Sequence, residues 1–412
     1  MRLPERDIRL LAGANLISCT GDWALRTGLA YQIYAITGST AASATAVLAA
    51  LLPRLLLGPV AGTCADRWDR RRTVIVTNLL LGLCLLPLAA VHGPGQVWIV
   101  YLVLAVQSGL AVLFSTAEAA LVPALAGDGD LVTANALNGQ ARDVARLLGA
   151  AVGGVVAGFG GIGMLAAVAA GTYVTAAGLL GLIRRRPGTG VTEATRWEGF
   201  SGLRIAWSNR TLRVLMVYTV ITGIGEAAMS TLMAPFVRDV LGGSAGTYGT
   251  IMSAQAVGGL IGGAVTTVVG HRFPPRLLLG GGTLAFGVVD LALFLYPLAD
   301  PSPWPAVVLI AVAGLPAALT VAGLMTVFQT ATDDSHRGRV FGTIVALDSA
   351  AMLAATIAAG TLGGRLGIVP VIAVQGVGLC TAGLLVLILL RGDYAGTRAG
   401  APDSRATHSA PS

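Results

Sequence analysis

The stretch Gly58-Pro-Val-Ala-Gly-Thr-Cys-Ala-Asp-Arg-Trp-Asp-Arg-Arg-Arg72 separates two long apolar segments. Before it, Arg54 is the only charged residue over about the length of a membrane-spanning helix. Six charged residues, four of them arginines, then fall between positions 66 and 72, and apolar sequence resumes at Thr73. A short, arginine-rich hairpin between two spanning helices predicts a loop on the cytoplasmic side.

The composition independently predicts a membrane protein. The 412 residues are 55% hydrophobic and only 11% charged, whereas soluble domains are about 25% charged, and the mean hydropathy is +0.77. The four cysteines have no C-x-x-C spacing, so we expect neither a metal site nor a disulfide. No cofactor is predicted.

Apolar segments of helical length repeat along the chain and predict an all-α membrane protein with twelve transmembrane helices in two six-helix halves. An even number of spans places both termini in the cytoplasm. The predicted domains are an N-terminal half (1–183), a cytoplasmic linker with an amphipathic helix (184–212), a C-terminal half (213–391) and a disordered tail (392–412). The predicted spans are 8–36, 42–64, 73–91, 96–126, 143–160, 163–183, 213–237, 246–269, 276–297, 304–330, 340–362 and 367–390.

The net charge of +7 follows from this topology. The chain has no lysine, and its 27 basic residues are all arginines. With the predicted spans, all but four lie in cytoplasmic segments or in the first four residues of a span at its cytoplasmic end, as the positive-inside rule requires. The exceptions are Arg26 and Arg54 inside spans and Arg238 and Arg365 on the other side. Topology explains the charge, so nucleic-acid binding is not predicted.

Several motifs resemble those of the major facilitator superfamily of transporters. The spacing Gly62-x-x-x-Asp66-Arg67-x-x-Arg70-Arg71 resembles the signature loop between spans 2 and 3. Ser18-Cys-Thr-Gly-Asp22 and Arg337-Gly-Arg-Val-Phe341 are similar to segments of the macrolide-efflux and enterobactin-exporter subgroup of drug:proton antiporters. Asp69, where the general signature has glycine, favours that subgroup.

The resemblance implies a secondary active exporter of an amphipathic small molecule such as a drug, antibiotic or other secondary metabolite. It would work by alternating access and proton antiport, as a monomer in the cell membrane of a bacterium. Its expected partners are the substrate, protons and the lipid bilayer. The segment Val106-Gln-Ser-Gly109 lacks the arginine that better-studied proton-driven exporters carry nearby, so proton coupling does not transfer automatically.

The resemblance also gives the signature loop a role as a cytoplasmic gate. Asp66 would meet the N-terminal end of span 11 near Arg339 when that side is closed. Arginines of the loop would contact the opposite half. The gate residues are Gly62, Asp66, Arg67, Arg70, Arg71 and Arg339.

Acidic residues inside spans are costly and are therefore candidates for function. Asp22 and Arg26 stand four residues apart and can pair, either as a static ion pair or as a proton site controlled by Arg26. Glu226 has no basic residue within a helical turn, so it could bind a proton or a cationic substrate. Glu118 could line the same path, or could be an interfacial or gate residue. Asp290 is predicted to be structural.

Two further features concern helix packing. In this fold spans 2 and 11 are neighbours, so Arg54 and Asp348 could form a gate pair. Small-residue stripes in spans 5 and 8 predict close helix packing, and the resemblance implies that these two helices pack together across the halves. The stripes include Gly149, Gly153, Gly154, Gly258 and Gly262.

Three other functions are alternatives to export by a secondary transporter. A proton-coupled importer or symporter of a small metabolite could employ the same carboxylates. An enzyme is not predicted, because no nucleophile–base arrangement or metal cluster stands out. ATP-driven transport is disfavoured, since no phosphate-binding loop with a lysine exists in this lysine-free chain.

Overall fold

The computed structural model describes residues 6–65, 69–126, 131–183, 201–332 and 337–390. All regular elements within these ranges are helical. The α-helices are α1 (Arg6–Thr37), α2 (Thr40–Ala65), α3 (Arg70–Leu83), α4 (Val97–Ala126), α5 (Leu131–Gly181), α6 (Ser201–Ser208), α7 (Arg210–Pro235), α8 (Ala245–Val269), α9 (Pro275–Leu295), α10 (Trp304–Ala331), α11 (Arg337–Leu366), α12 (Ile368–Ile372) and α13 (Val374–Leu389). Short 3₁₀ turns follow α3, α8 and α9 and precede α4, and a π-helical turn, Phe236–Val240, extends α7.

Ten stretches of the described helices are long and apolar enough to cross a membrane. The helix α1 is not among them, because polar residues along it, including Asp22 and Arg26, lower its hydropathy. The helix α5 contributes one stretch, Leu137–Gly181, although the sequence predicts two spans there. The all-helical membrane architecture is confirmed, and the count of twelve stays a prediction.

A backbone break divides α5 where the sequence predicts the turn between spans 5 and 6. Gly161 has φ 61 and ψ −157 inside an otherwise helical segment, a region that is essentially restricted to glycine. The predicted start of span 5 at residue 143 is wrong, because α5 begins at Leu131. Its first turns carry Asn138 and Arg142, whose polar groups are satisfied by neighbouring helices, so hydropathy alone does not recognise them as helix.

The helices fall into two sets, which we call the first set (α1–α5) and the second set (α7–α13). Within the first set α1 packs along α5, and within the second α10 packs against α8 and α9. The sets meet where α5 packs on α8 and where α2 packs on α7 and α11. Left-handed glycines recur at corresponding turns of the two sets, which supports an internal repeat. They are Gly38, Gly161, Gly242 and Gly367.

Inside the predicted linker lies the short helix α6, which packs against α7 and α11. Leu203 and Trp207 on it are 38% and 62% exposed, as suits a helix at a membrane surface. The Asn209 side chain accepts hydrogen bonds from the Thr211 and Leu212 backbone nitrogens. This N-cap starts α7 at Arg210, three residues before the predicted start of the span.

Candidate functional site

Asp22, in the middle of α1, is the centre of a polar cluster in the first set. Arg26 Nε donates to Asp22 Oδ2 at 2.7 Å, forming the predicted i,i+4 ion pair. Gln107 Nε2 of α4 and the Tyr173 hydroxyl of α5 donate to the other oxygen, Oδ1, at 3.2 and 3.3 Å. The side chains of Asp22 and Arg26 remain 26% and 33% exposed. The pair is therefore accessible and not sealed in the core.

Gln107 belongs to the segment in which the arginine of better-studied exporters is missing. Its side chain also donates to the Tyr173 hydroxyl at 3.0 Å. Arg54 of α2 lies within electrostatic range of both Arg26 and Asp22. Two arginines thus surround the single carboxylate Asp22, and both come from helices other than α4.

Glu118 is the centre of a second, buried polar cluster in the first set. Its side chain is only 3% exposed. Oε1 accepts from Asn15 Nδ2 and Asn138 Nδ2, each at 2.6 Å, and Oε2 accepts from Arg142 Nη2 at 2.6 Å. These donors come from α1 and α5, so Glu118 ties three helices of the first set together.

Glu226 lies in the middle of α7 and is exposed. Arg146 of α5 and Asp348 of α11 lie within electrostatic range of it. These helices belong to both sets, so Glu226 faces the space between the sets. A Cβ at Gly223, one turn earlier, would lie 2.7 Å from Asp348 Oδ1, which places that carboxylate against α7.

Arg146 is the fourth residue of predicted span 5, and the structure places it inside α5. Its guanidinium lies over the Trp23 ring, with Cζ 5.0 Å from the ring centroid. Nη2 donates to Gln255 Oε1 of α8 at 3.0 Å, which links the two sets. Sequence spacing could not reveal these neighbours, because each comes from a different helix.

The remaining predicted charged positions inside spans are the Arg54–Asp348 pair and Asp290. Among the described residues Arg54 and Asp348 form no ion pair, although α2 packs against α11. Asp290 is 2% exposed, and its Oδ2 accepts a 2.7 Å hydrogen bond from Gln375 Nε2 of α13. This agrees with a structural role for Asp290 within the second set.

Part of the signature loop lies outside the described residues, namely Asp66 and Arg67, and nothing is described of the Arg339 side chain. Gly62 belongs to the last turn of α2 and Arg70 opens α3. Asp69 is the N-cap of α3, since its Oδ1 accepts from the Arg72 nitrogen at 2.7 Å. Arg71 was expected to contact the opposite half, but it donates to the Gly181 carbonyl oxygen at the end of α5 in its own set. An arginine at a helix C-terminus is favoured by the helix dipole.

The glycine stripes mediate close helix packing, and of the five predicted positions Gly154 alone lies between the predicted partners α5 and α8. A Cβ at Gly153 would lie 2.3 Å from the Ala24 carbonyl oxygen of α1, and one at Gly258 would lie 2.0 Å from that of Ala311 in α10. Gly149 likewise faces α1, and Gly262 faces α10. The α5–α8 contact is made by Gly154 against Gly249.

At the end of the bundle where α1 meets α2, the two sets are tied together by polar contacts. The Tyr34 hydroxyl donates to Asp239, and Arg238 Nη1 donates to the Tyr34 carbonyl oxygen at 2.9 Å. The Tyr31 hydroxyl donates to the Gly243 carbonyl oxygen at 3.0 Å. Close by, Thr40 Oγ1 of α2 donates to the Gly360 carbonyl oxygen of α11 at 2.7 Å. We call this the closed end.

A bundle of apolar helices in two sets, with charged side chains between them, defines a multi-pass membrane transport protein. Solved transporters share this architecture. A mutant of the nucleoside transporter NupG has a TM-score of 0.77 at 12% identity, with 94% of this chain and 100% of that chain covered. A bacterial homologue of the iron transporter ferroportin, in an inward-facing state, has a TM-score of 0.74 at 15% identity, with 93% and 98% covered.

The transmembrane secretion effector family model matches residues 3–400, and the chain belongs to this family of the major facilitator superfamily. The multidrug efflux pump Tap of Mycobacterium tuberculosis is 30% identical over 361 residues, covering 83% of each chain. The enterobactin exporter EntS of Citrobacter koseri is 27% identical over 397 residues, covering 92% of this chain and 90% of that one. The protein is thus a multi-pass transporter of the bacterial cell membrane, as predicted.

Proposed function

We propose that the protein is a secondary active efflux transporter that exports an amphipathic small molecule by alternating access. The observation that carries the proposal is the likeness over 83% of the chain to a multidrug efflux pump. The likeness to an enterobactin exporter favours the same direction of transport. The exposed, charged side chains between the two sets supply a polar path through an apolar bundle.

The proposed topology has twelve spans in two six-helix halves, 1–183 and 213–391, joined by the linker 184–212. In it α1 is the first span, and Gly161 separates spans 5 and 6. Both termini are cytoplasmic, which puts the arginine-rich loops on that side. The closed end then faces outward, and we propose that the conformation is inward-open.

Proton antiport is the proposed energy source, with Asp22 and Glu226 as the carboxyl groups that take up and release protons. Both are accessible, and both lie near an arginine of the same or a neighbouring helix. A carboxylate exposed to the path can exchange its proton or its partner when the two halves move. Glu118, which is buried and holds three donors, is assigned a structural role instead.

The cytoplasmic gate remains part of the proposal. In the inward-open state the signature loop is expected to be disengaged from span 11, which agrees with the contact of Arg71 inside its own half. When the cytoplasmic side closes, Asp66 and Arg67 would reach Arg339 and the start of span 11. Asp66→Asn is then expected to slow transport.

The direction and coupling are tested with a fluorescent cationic dye, ethidium. Cells that produce the protein are expected to accumulate less dye than cells without it, and more dye would show an importer. In everted vesicles with an imposed pH gradient, wild type should concentrate the dye. Glu226→Gln should abolish concentration against the gradient while downhill movement persists, because the proton-binding group is gone.

Asp300→Asn is the matched control, because Asp300 is an exposed carboxylate in a turn outside the helices. It should concentrate dye like wild type. If Glu226→Gln also does so, Glu226 has no part in coupling. If wild-type vesicles concentrate the dye with a sodium gradient but not with a pH gradient, the coupling ion is sodium and not the proton.

A further inference from the structure

Trp23 and Arg146 contact each other where the two sets meet, and Glu226 lies within electrostatic range of Arg146. The Arg146 guanidinium stacks on the Trp23 ring, 5.0 Å from its centroid, and hydrogen-bonds to the neutral amide of Gln255. All four side chains are at least partly exposed, so a molecule between the sets can reach them.

The base of the Trp23 side chain is tightly packed against α5. Arg146, in contrast, is held by contacts that a ligand can replace. A Cβ at Gly149, one turn after Arg146, would lie 2.6 Å from the Trp23 Cβ, so α5 presses against the base of this side chain. Within the described part of the chain, neither Arg146 nor Glu226 forms an ion pair. Arg146 therefore has an aromatic face and an amide as partners, and a carboxylate nearby that it does not bind directly.

An aromatic face recognises organic cations, and a carboxylate within electrostatic range adds to the attraction. We propose that Trp23 and Glu226 form a subsite for the cationic group of an amphipathic substrate, and that Arg146 occupies this subsite when the transporter is empty. The incoming cation displaces the guanidinium from the ring and takes its place near Glu226. This inference rests on the proposed function and specifies its substrate class as amphipathic organic cations.

A purely structural role for Arg146, as a tie between α5 and α8, makes the opposite prediction. If the arginine only holds the two sets together, its removal loosens the protein and weakens any binding between the sets. If it competes with substrate, its removal frees the ring and the carboxylate. Binding of a cation then becomes tighter.

The test is equilibrium binding of tetraphenylphosphonium to the purified full-length protein in detergent micelles. Arg146→Gln is expected to lower the Kd about tenfold, the size of one cation–π contact in a desolvated site. Trp23→Leu and Glu226→Gln should each raise it about tenfold, and Trp23→Phe, which keeps an aromatic face, should raise it less. Tetraphenylborate, an anion of the same shape, should bind Arg146→Gln no more tightly than wild type.

Arg272→Gln is the matched control, because it removes a guanidinium from an exposed position in the turn after α8. Its Kd for tetraphenylphosphonium should stay within about twofold of wild type. Unchanged or weaker cation binding in Arg146→Gln overturns the proposal, as does absence of binding in wild type and Arg146→Gln alike. Binding is measured without transport, so the two proposals can fail separately. The dye experiment can contradict efflux while the binding data support the subsite, and the binding data can contradict the subsite while the dye experiment supports efflux.

Discussion

Asp22 and Glu118 are both carboxylates that pair with an arginine, but their surroundings give them different capacities. Asp22 keeps 26% of its side chain exposed, so its charge can respond to a proton or a substrate. The side chain of Glu118 is 3% exposed, and three donors occupy its two oxygens. A group so completely satisfied resists a change of partner, which supports the structural role that we propose for Glu118.

Removing the Glu118 carboxylate should therefore destabilise the protein. Glu118→Ala removes the acceptor of Asn138 Nδ2 and Arg142 Nη2, and it leaves Asn15 Nδ2 with Asn138 Oδ1 as its acceptor. We expect a loss of about 3 kcal/mol in the free energy of unfolding, seen as a lower denaturation midpoint in detergent. Asp143→Asn, which changes an exposed carboxylate on α5, should leave the midpoint nearly unchanged. Equal midpoints for the two variants would show that the cluster contributes no stability.

Contacts within one helix could be predicted from the sequence, and contacts between helices could not. Asp22 and Arg26 are four residues apart, and helical periodicity alone brings them together. The sequence alone gives Arg146 no partner, because Trp23 and Gln255 are more than a hundred residues away from it in one direction or the other. Glu118 is predicted correctly to lie on α4, but nothing in the sequence shows which face of that helix is buried.

At the scale of the helices, turns could be predicted well where backbone geometry fixes them. The break at Gly161 needs a conformation that glycine alone adopts readily, and the apolar segments on either side of it are clear. The start of α5 escapes prediction, because a hydropathy measure treats Asn138 and Arg142 as though they faced lipid. Their hydrogen bonds to Glu118 remove that cost.

The glycine stripes illustrate the same limit, because a stripe predicts close packing without naming the partner. Gly258 packs against the backbone of Ala311, whereas the space beside its neighbour Gly259 is open. Adjacent glycines on one helix therefore have different roles. This gives a matched pair of substitutions on α8.

Gly258→Ala should separate α8 from α10, since the added Cβ would lie 2.0 Å from the Ala311 carbonyl oxygen. We expect a destabilisation of about 1–3 kcal/mol from this overpacking, measured by thermal denaturation in detergent. Gly259→Ala meets no atom within 4 Å and should stabilise the helix by up to about 1 kcal/mol. If both variants behave alike, the α8–α10 contact is looser than the structure shows.

At the scale of the whole molecule, the contacts of the closed end hold the first and second sets together. Tyr34 accepts from Arg238 through its carbonyl oxygen and donates to Asp239 through its hydroxyl. The Arg238 guanidinium also lies 5.8 Å from the Tyr34 ring centroid. Alternating access requires that these bonds break when the bundle opens at this end. Their strength therefore sets how often the other conformation is visited.

Tyr34→Phe should shift the protein towards the conformation that is open at this end. The variant keeps the ring under Arg238 but loses the hydrogen bond to the Asp239 carboxylate, which is worth about 2 kcal/mol. If the other conformation has no equivalent bond, its population relative to the closed one should rise at least about tenfold.

The shift can be measured as a distance between the two sets. Spin labels at His92→Cys and Asp300→Cys, exposed positions in turns of the first and second sets, report that distance once the natural cysteines are replaced. Longer distances are expected in the double electron–electron resonance distribution of Tyr34→Phe. Tyr101→Phe is the control, because the Tyr101 hydroxyl donates to the Ala42 carbonyl oxygen within the first set. An unchanged distribution in Tyr34→Phe, or the same shift in Tyr101→Phe, would mean that the Tyr34 hydroxyl does not hold this end closed.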